Sequence, residues 1–281
     1  MMYYIVQILV LILLSKVQNA RFQVIQLEEE NDVENFEETE RIVNGRTAGK
    51  NEFPFSVALF YRDRYVCTAS IISERDVLTA GHCVVFNGIV QNPEDFSGVI
   101  GNVNKESGTR IKFTNVTPHP QYDNLMNDVA VLTAAEPIRY SDGVRAVCLS
   151  TTKKNLCLKP VTSAGWGITT RDTDVTVTPD NLQYTNLRVY PNKKCAKLYN
   201  TRKVPDSIMC AGALNTGLCS GDSGGPLVMK KGRNDYVQVG VASFVNQIFG
   251  CARLLGPAGF SRVSHYIDFI MSNAKGKVCL E

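Results

Sequence analysis

The sequence lacks a hydrophobic run long enough to span a bilayer. Its longest apolar run, Tyr3 to Leu14, is interrupted only by Gln7 and stands near the N-terminus. This length and position are typical of the core of a signal peptide, although no basic residue precedes the run. We therefore predict a signal peptide at residues 1–20, and a mature protein that is soluble, secreted and extracellular, with no membrane segment.

The sequence also lacks long runs of basic residues, although it has 30 lysines and arginines against 27 acidic residues. The basic runs are pairs such as Lys153-Lys154, Lys193-Lys194 and Lys230-Lys231. A nucleic-acid or heparin partner would need larger clusters of bases, so we predict no nucleic-acid binding. The sequence contains no zinc motif and no phosphate-binding loop, and we predict neither a metal nor a cofactor.

Residues 21–41 contain no glycine and no cysteine, and eight of them are acidic. Such a segment cannot bury enough apolar surface to offset the entropy of ordering, and we predict that it is disordered. It ends at Arg41, before the apolar pair Ile42-Val43. A trypsin-like protease would cleave there, so we interpret residues 21–41 as an activation propeptide and residues 42–281 as the folded domain. The alternative is that Arg41 is an incidental base in a linker.

Nine cysteines and a hydrophobic content of 44% indicate a folded protein with a sizeable core in an oxidising compartment. Many short segments rich in β-formers follow Phe53, separated by turn signals such as Asn87-Gly88 and Asp142-Gly143. This pattern predicts an all-β barrel or sandwich. In the last segment apolar residues recur at helical spacing, which predicts one C-terminal α-helix. These residues are Val263, Tyr266, Ile267, Ile270 and Met271.

The most informative motif is Gly-Asp-Ser-Gly-Gly-Pro at residues 221–226. Glycines on both sides of Ser223 allow a tight turn that exposes the hydroxyl and directs backbone N–H groups toward one point. A glycine–serine turn alone would be an ordinary connection between strands. However, His82 in Thr-Ala-Gly-His-Cys and Asp128 in Asn-Asp-Val-Ala-Val-Leu precede it, so a base and an orienting acid are both present.

These three motifs occur in the order typical of chymotrypsin-like (trypsin-fold) serine proteases, and the chain resembles that family from Ile42 to about Tyr266. The resemblance implies two packed antiparallel β-barrels with the active site between them. It also implies that Ser223 is the nucleophile, His82 the general base and Asp128 the residue that orients the imidazole. The N–H groups of Gly221 and Ser223 would form the oxyanion hole, and Ser243 would stand beside Asp128.

The same resemblance implies an activation switch and three disulfides. After cleavage, the new amino group of Ile42 would pair with the carboxylate of Asp222. The implied disulfides are Cys67–Cys83, Cys195–Cys210 and Cys219–Cys251. Three cysteines remain, so at least one is free or bonded to another chain; a Cys148–Cys279 pair is one option, and Cys157 is the third.

Substrate specificity would depend on residues that depart from the family's trypsin-like pattern. Gly217, six residues before the nucleophile, stands where an aspartate would select arginine or lysine. An uncharged, narrowed pocket favours small or medium apolar side chains before the cleaved bond, whereas a roomier pocket for aromatic or large apolar side chains stays an alternative. The predicted substrate-binding residues are Gly217, Leu218, Ser220, Ser243, Phe244, Val245 and Ala258.

Other predictions are a glycan on Asn115, in the sequon Asn115-Val116-Thr117, and no calcium site at Asn102. The expected partners are protein or peptide substrates, a trypsin-like activating protease and protein protease inhibitors, with the enzyme itself a monomer. The main alternative function is a non-catalytic homologue that acts as a binding protein. The retained catalytic and activation residues favour a secreted serine endopeptidase made as a zymogen.

Overall fold

The computed structural model describes residues 45–124, 126–169, 177–214, 216–232, 235–245 and 257–281. The predicted signal peptide, the propeptide, Arg41 and Ile42 therefore lie outside the described residues, as does Cys251. The fold is dominated by β-strands, which are numbered in chain order. They are β1 Arg46–Thr47, β2 Ser56–Tyr61, β3 Arg64–Ile71, β4 Asp76–Thr79, β5 Val85–Phe86, β6 Ile89–Val90, β7 Phe96–Ile100, β8 Thr109–Pro118, β9 Ala130–Ala134, β10 Cys148–Leu149, β11 Pro160–Gly165, β12 Gln183–Tyr190, β13 Ile208–Gly212, β14 Pro226–Gly232, β15 Asp235–Phe244 and β16 Ala258–Arg262.

The first half of the chain forms a closed antiparallel barrel with the strand order β2-β3-β4-β9-β8-β7. Every residue of β9 is buried, because its side chains face either the barrel interior or the structure packed outside it. Leu59, Ile71, Leu78 and Leu132 are fully buried in this core. Closure pairs both edges of the sheet, so the barrel leaves no open edge strand.

The second half forms another six-strand ring in the order β12-β11-β14-β15-β16-β13, which the pairing of β12 with β13 closes. Strand β12 alternates between buried and more exposed positions, as expected for a strand with one face on a core. Leu187, Met209, Leu227 and Phe260 fill this second core. The prediction of an all-β fold with two antiparallel barrels is therefore confirmed.

Two α-helices occur in the described part of the chain, α1 at Asn192–Leu198 and α2 at Ile267–Asn273. The C-terminal helix was predicted from its apolar spacing, and Ile270 is its fully buried anchor. The helix is shorter than predicted, because Val263 belongs to a separate 3₁₀ turn at Val263–His265. Met271 lies within the helix but is exposed. No helix among the described residues has the length and apolarity needed to cross a membrane.

Disulfides join Cys67 to Cys83, Cys195 to Cys210 and Cys148 to Cys279. The last closes a separation of 131 residues and ties the C-terminal segment to β10, which restricts the unfolded chain strongly. Cys219 is also disulfide-bonded, but its predicted partner lies outside the described residues. Within the described part of the chain, Cys157 is a free, partly exposed cysteine.

Candidate active site

The first barrel contributes His82 and Asp128 to one cluster. His82 lies in a 3₁₀ turn at Gly81–Cys83, directly after β4, and the Cys67–Cys83 disulfide ties this turn to β3. The Nδ1 atom of His82 is 2.8 Å from Oδ2 of Asp128, and the backbone N–H of His82 donates to Oδ1 at 2.9 Å. A carboxylate can only accept, so Nδ1 carries a proton, and the neutral tautomer that fits this contact has its lone pair on Nε2.

Asp128 is held from four directions. Besides the two contacts from His82, the hydroxyl of Ser243 donates to Oδ2 at 2.5 Å, and the hydroxyl of Ser261 donates to the Asp128 backbone oxygen at 2.7 Å. The side chain of Asp128 is fully buried, whereas that of His82 is 30% exposed. The carboxylate is therefore a fixed acceptor behind an imidazole that faces solvent.

The second barrel contributes the turn that carries Ser223. Gly221 has φ +98° and Gly224 has φ +76°, a backbone region that residues with side chains rarely adopt. A Cβ atom on Gly224 would stand 2.0 Å from the hydroxyl of Thr79. Both glycines are thus required by the turn, and Gly224 also by the close approach of the first barrel.

The hydrogen bonds of the turn leave two N–H groups available. The N–H groups of Asp222, Gly224 and Gly225 donate to the oxygens of Cys219, Ala242 and Asp222, respectively. Among the described residues, no acceptor takes the N–H of Gly221 or of Ser223. These are the two groups predicted to form the oxyanion hole, and they can donate to a developing negative charge on a substrate.

Tyr65 and Thr68 on β3 brace this turn, a role that the sequence motifs did not indicate. The Tyr65 hydroxyl donates to the Gly221 oxygen at 2.6 Å, and the Thr68 hydroxyl donates to the same oxygen at 3.0 Å. The N–H of Thr68 donates to the Ser223 oxygen at 2.9 Å. Strand β3 therefore holds the carbonyls on the rear of the turn. The signal available in the sequence was the pair of hydroxyl side chains, Tyr65 and Thr68, close to Cys67.

Asp222 is buried beneath the turn and accepts two backbone hydrogen bonds. Its Oδ1 accepts from the N–H of Gly167 and its Oδ2 from the N–H of Cys219, each at 2.9 Å. A side chain on Gly167 would collide with this carboxyl group. Burial raises the pKa of Asp222 to about 7, and the two backbone donors oppose that shift. The carboxyl group thus lacks a cationic partner among the described residues.

We predict that the uncleaved protein loses stability as the pH rises from about 4 to about 7. The pKa of this carboxyl group is higher in the folded chain than in the unfolded chain. At a pH where the group is protonated in both states, it does not change the free energy of unfolding. Above the folded-state pKa the group is ionised in its buried position, and the free energy of unfolding is lowered by the full amount. The predicted loss is on the order of 4 kcal/mol. Urea unfolding of the uncleaved chain at several pH values measures it.

The control for this prediction is Asp222→Asn, which removes the titrating group and should flatten that part of the pH dependence. The comparison concerns the slope, because the asparagine also changes the two backbone hydrogen bonds. Equal slopes for the two proteins between pH 4 and 7 would show that Asp222 does not titrate in this range.

A cavity of about 280 Å³ opens beside His82 and Ser223. Five of the predicted substrate-binding residues line it, namely Leu218, Ser220, Ser243, Phe244 and Val245. Asn124 and Ala242 line it as well and were not predicted. Gly217 and Ala258 are not among its lining residues, but Ala258 packs with Leu218 and Val245 in the apolar core of the second barrel.

Phe244 is fixed by its neighbours. Its ring meets the ring of Tyr199 edge to face, with centroids 5.3 Å apart, and a Cβ atom on Gly259 would stand 2.2 Å from its Cζ. Tyr199 in turn donates a hydrogen bond to the Pro257 oxygen. The Phe244 ring can therefore occupy its position at the cavity only if residue 259 is glycine. This requirement becomes visible only from the pairing of β15 with β16, which places Phe244 opposite Gly259.

Two other groups of residues stand apart from this cavity. Asn115 is exposed on β8, and its side-chain N–H donates to the Thr117 hydroxyl at 2.9 Å. Cys67, His82 and Cys83 lie close together, but both sulfurs belong to one disulfide and offer no thiolate to a metal. This cluster is accordingly part of the His82 turn and does not fit a metal centre.

The chain is similar in sequence to one protein family and to several individual proteins. The model of the trypsin family matches residues 42–270. Serine protease SP24D of Anopheles gambiae is 32% identical over 271 residues, which cover 93% of each chain. Trypsin-1 of Astacus astacus is 30% identical over 247 residues, which cover 83% of this chain and 100% of the relative. Clotting factor G beta subunit of Tachypleus tridentatus is 31% identical over 84% of this chain and 81% of its own length.

Proposed function

Since the chain belongs to the trypsin family and is a serine endopeptidase, we propose that it is activated by cleavage after Arg41 and then cleaves after small or medium apolar residues. Ser223 attacks the carbonyl carbon of the scissile bond while Nε2 of His82 takes its proton. The resulting oxyanion accepts hydrogen bonds from the N–H groups of Gly221 and Ser223. His82 then donates the proton to the leaving amine, and water hydrolyses the acyl-enzyme by the same steps.

Asp128 acts through His82. Its contact with Nδ1 supports the tautomer in which Nε2 is the base, and its charge favours the imidazolium that forms during the reaction. The hydroxyl of Ser243 on the same carboxylate oxygen supports this orientation. A cleft between the barrels suits the enzyme because each barrel holds its own groups on turns and loops that its rigid strands anchor.

The uncharged wall formed by Leu218 and Val245 carries the proposal on specificity. Leu218 and Val245 line the cavity, and both pack on the apolar cluster that includes Ala258. Within the described residues, no acidic side chain lines this cavity. An arginine or lysine side chain would therefore enter without a buried anion to pair with, at a considerable desolvation cost. Small and medium aliphatic side chains fill such a space without that cost.

Activation rests on the buried carboxyl group of Asp222. The new ammonium group of Ile42 would supply the cation that this carboxylate lacks among the described residues, as the resemblance implies. The remaining proposals are secretion of the mature monomer, a glycan on the exposed Asn115, a trypsin-like activating protease and protein inhibitors as partners. Neither a metal nor a cofactor takes part in the proposed mechanism.

The test is activation of the secreted zymogen by trypsin, followed by N-terminal sequencing and a panel of peptide substrates. We expect the new N-terminus Ile-Val-Asn-Gly and activity that appears only after cleavage. The ratio kcat/KM should be highest with alanine, valine or leucine before the cleaved bond. The expected advantage over arginine is about 10²-fold or more, since an unpaired buried charge costs several kcal/mol.

Three variants serve as controls. Arg41→Gln should prevent activation by trypsin without changing the folded domain. Val245→Gly should shift the preference toward phenylalanine and tyrosine, whereas Ala258→Gly, which is outside the cavity lining, should shift it less. Faster cleavage after arginine than after any apolar residue would refute the proposed specificity, and a wild-type optimum at aromatic residues would favour the roomier pocket.

A further inference from the structure

A second cavity, of about 560 Å³, shares no lining residue with the cavity beside His82 and Ser223. Four basic side chains line it, Lys153, Lys154, Arg262 and His265, against one acidic side chain, Asp206. The lysine pair follows β10, while Arg262 ends β16, more than 100 residues later in the sequence. The fold therefore joins short basic segments that are separate in the sequence into one basic surface.

Arg262 differs from the two exposed lysines of this cavity in its burial. It is partly buried, and its Nε donates to the backbone oxygen of Asp206 at 2.7 Å. Burial lowers the pKa of the Arg262 guanidinium, and the charge of Asp206 offsets this in part. Within the described part of the chain, Arg262 forms no ion pair with a carboxylate. A partly buried cation in this situation gains from an external anion.

Lys153 and Lys154 are exposed and likewise form no ion pair among the described residues. Neutral donors stand beside the basic groups. Ser264 and Asn155 line the cavity. The Asn155 side-chain oxygen accepts from the N–H of Cys157, which leaves its NH₂ group to donate. The basic side chains of this open cavity can pair with anionic groups of a ligand, and the neutral donors can bind its hydroxyl groups. The lining therefore matches a ligand that carries both anionic groups and many hydroxyls.

We propose that this cavity binds sulfate groups of a sulfated polysaccharide. Lys153, Lys154 and Arg262 pair with the sulfates, Arg262 through its terminal nitrogens, and Asn155 and Ser264 bind sugar hydroxyls. Among the described lining residues there is no phenylalanine, tyrosine or tryptophan, and the one ring, that of His265, meets the Tyr266 ring edge to face, so the cavity offers little surface on which bases would stack. A sulfated glycan therefore fits the lining better than single-stranded nucleic acid does. The site would retain the protease on extracellular glycans while the cavity beside Ser223 stays open.

The test is calorimetric titration of the full-length chain with a heparin hexasaccharide at fixed salt concentration. The Lys153→Gln/Lys154→Gln double variant should weaken binding about five- to tenfold, the effect of losing two exposed charge contacts. Raising the salt concentration should weaken binding of the wild-type protein more than binding of this variant. Arg262→Gln should weaken binding of the hexasaccharide more than the double lysine variant does. Circular dichroism verifies that the Arg262→Gln variant folds.

The matched control is Lys112→Gln/Lys275→Gln, which removes two exposed lysines that do not line the cavity and should change the affinity less than twofold. A desulfated hexasaccharide should bind at least tenfold more weakly than the sulfated one. Equal losses in the two double variants would overturn the site. Tighter binding of a DNA oligonucleotide or a polyaspartate peptide than of the sulfated hexasaccharide would overturn the proposed ligand.

Discussion

Replacement of Ser223 by alanine should abolish peptidase activity, with kcat reduced about 10⁶-fold and substrate binding nearly unchanged. The hydroxyl is the atom that forms the covalent intermediate, and the N–H groups of Gly221 and residue 223 stay in place to bind the substrate carbonyl. The small residual activity would come from that oxyanion hole. Steady-state kinetics of the trypsin-activated variant measures the loss, with active-site titration to correct for traces of wild-type enzyme.

Ser220→Ala is the matched control, because Ser220 is a neighbouring serine that lines the same cavity. It should remain reactive toward a fluorophosphonate, whereas Ser223→Ala should form no adduct. Mass spectrometry of the labelled wild-type protein should locate the adduct on Ser223. A wild-type protein that is correctly activated but never labelled would instead indicate a binding protein with the same fold.

Replacement of Asp128 by asparagine should reduce kcat about 10⁴-fold with little change in KM. The carboxylate accepts from the N–H and Nδ1–H of His82 and from the hydroxyl of Ser243. An asparagine has one acceptor oxygen, so its NH₂ group would face at least one of these donors. The imidazole can relieve this conflict by moving its proton to Nε2, which removes the base from the position facing Ser223.

Ser243→Ala provides the comparison for Asp128→Asn. It removes one of the donors and leaves the charge, so kcat should fall only about ten- to a hundredfold, the value of one hydrogen bond to a charged group. The pH profile of kcat separates the two, because the asparagine variant loses the carboxylate that favours the imidazolium. A loss of less than tenfold in Asp128→Asn would mean that Asp128 does not orient His82.

Much of the fold could be predicted because local patterns determine it. The β-rich segments Val77-Leu78-Thr79 and Val161 to Trp166 are within one or two residues of β4 and β11. The C-terminal helix was found because Ile267 and Ile270 repeat at helical spacing. Helix α1 was missed, since Asn192–Leu198 is short and dominated by lysines, and packing of Cys195 and Ala196 rather than periodicity stabilises it.

In the candidate site, too, some residues could be predicted from local sequence patterns and others could not. Ser223, Gly221 and Gly224 could be identified because the turn needs glycine at fixed positions around the nucleophile. Tyr65 could not, because its bond to the Gly221 oxygen joins residues separated by 156 positions. No local pattern encodes such a contact. It exists because closure of the first barrel brings β3 against the turn of the second.

The sequence by itself determined the class of this protein, since short-range motifs around His82, Asp128 and Ser223 each encode a local backbone shape and a reactive group. Tertiary structure alone decided how those groups are held and what surrounds them. In the tertiary structure Asp222 is buried, the Phe244 ring packs on Gly259, and Lys153 and Arg262 line the same basic cavity. Burial and charge density depend on which distant strands meet, and only the closed barrels bring those strands together.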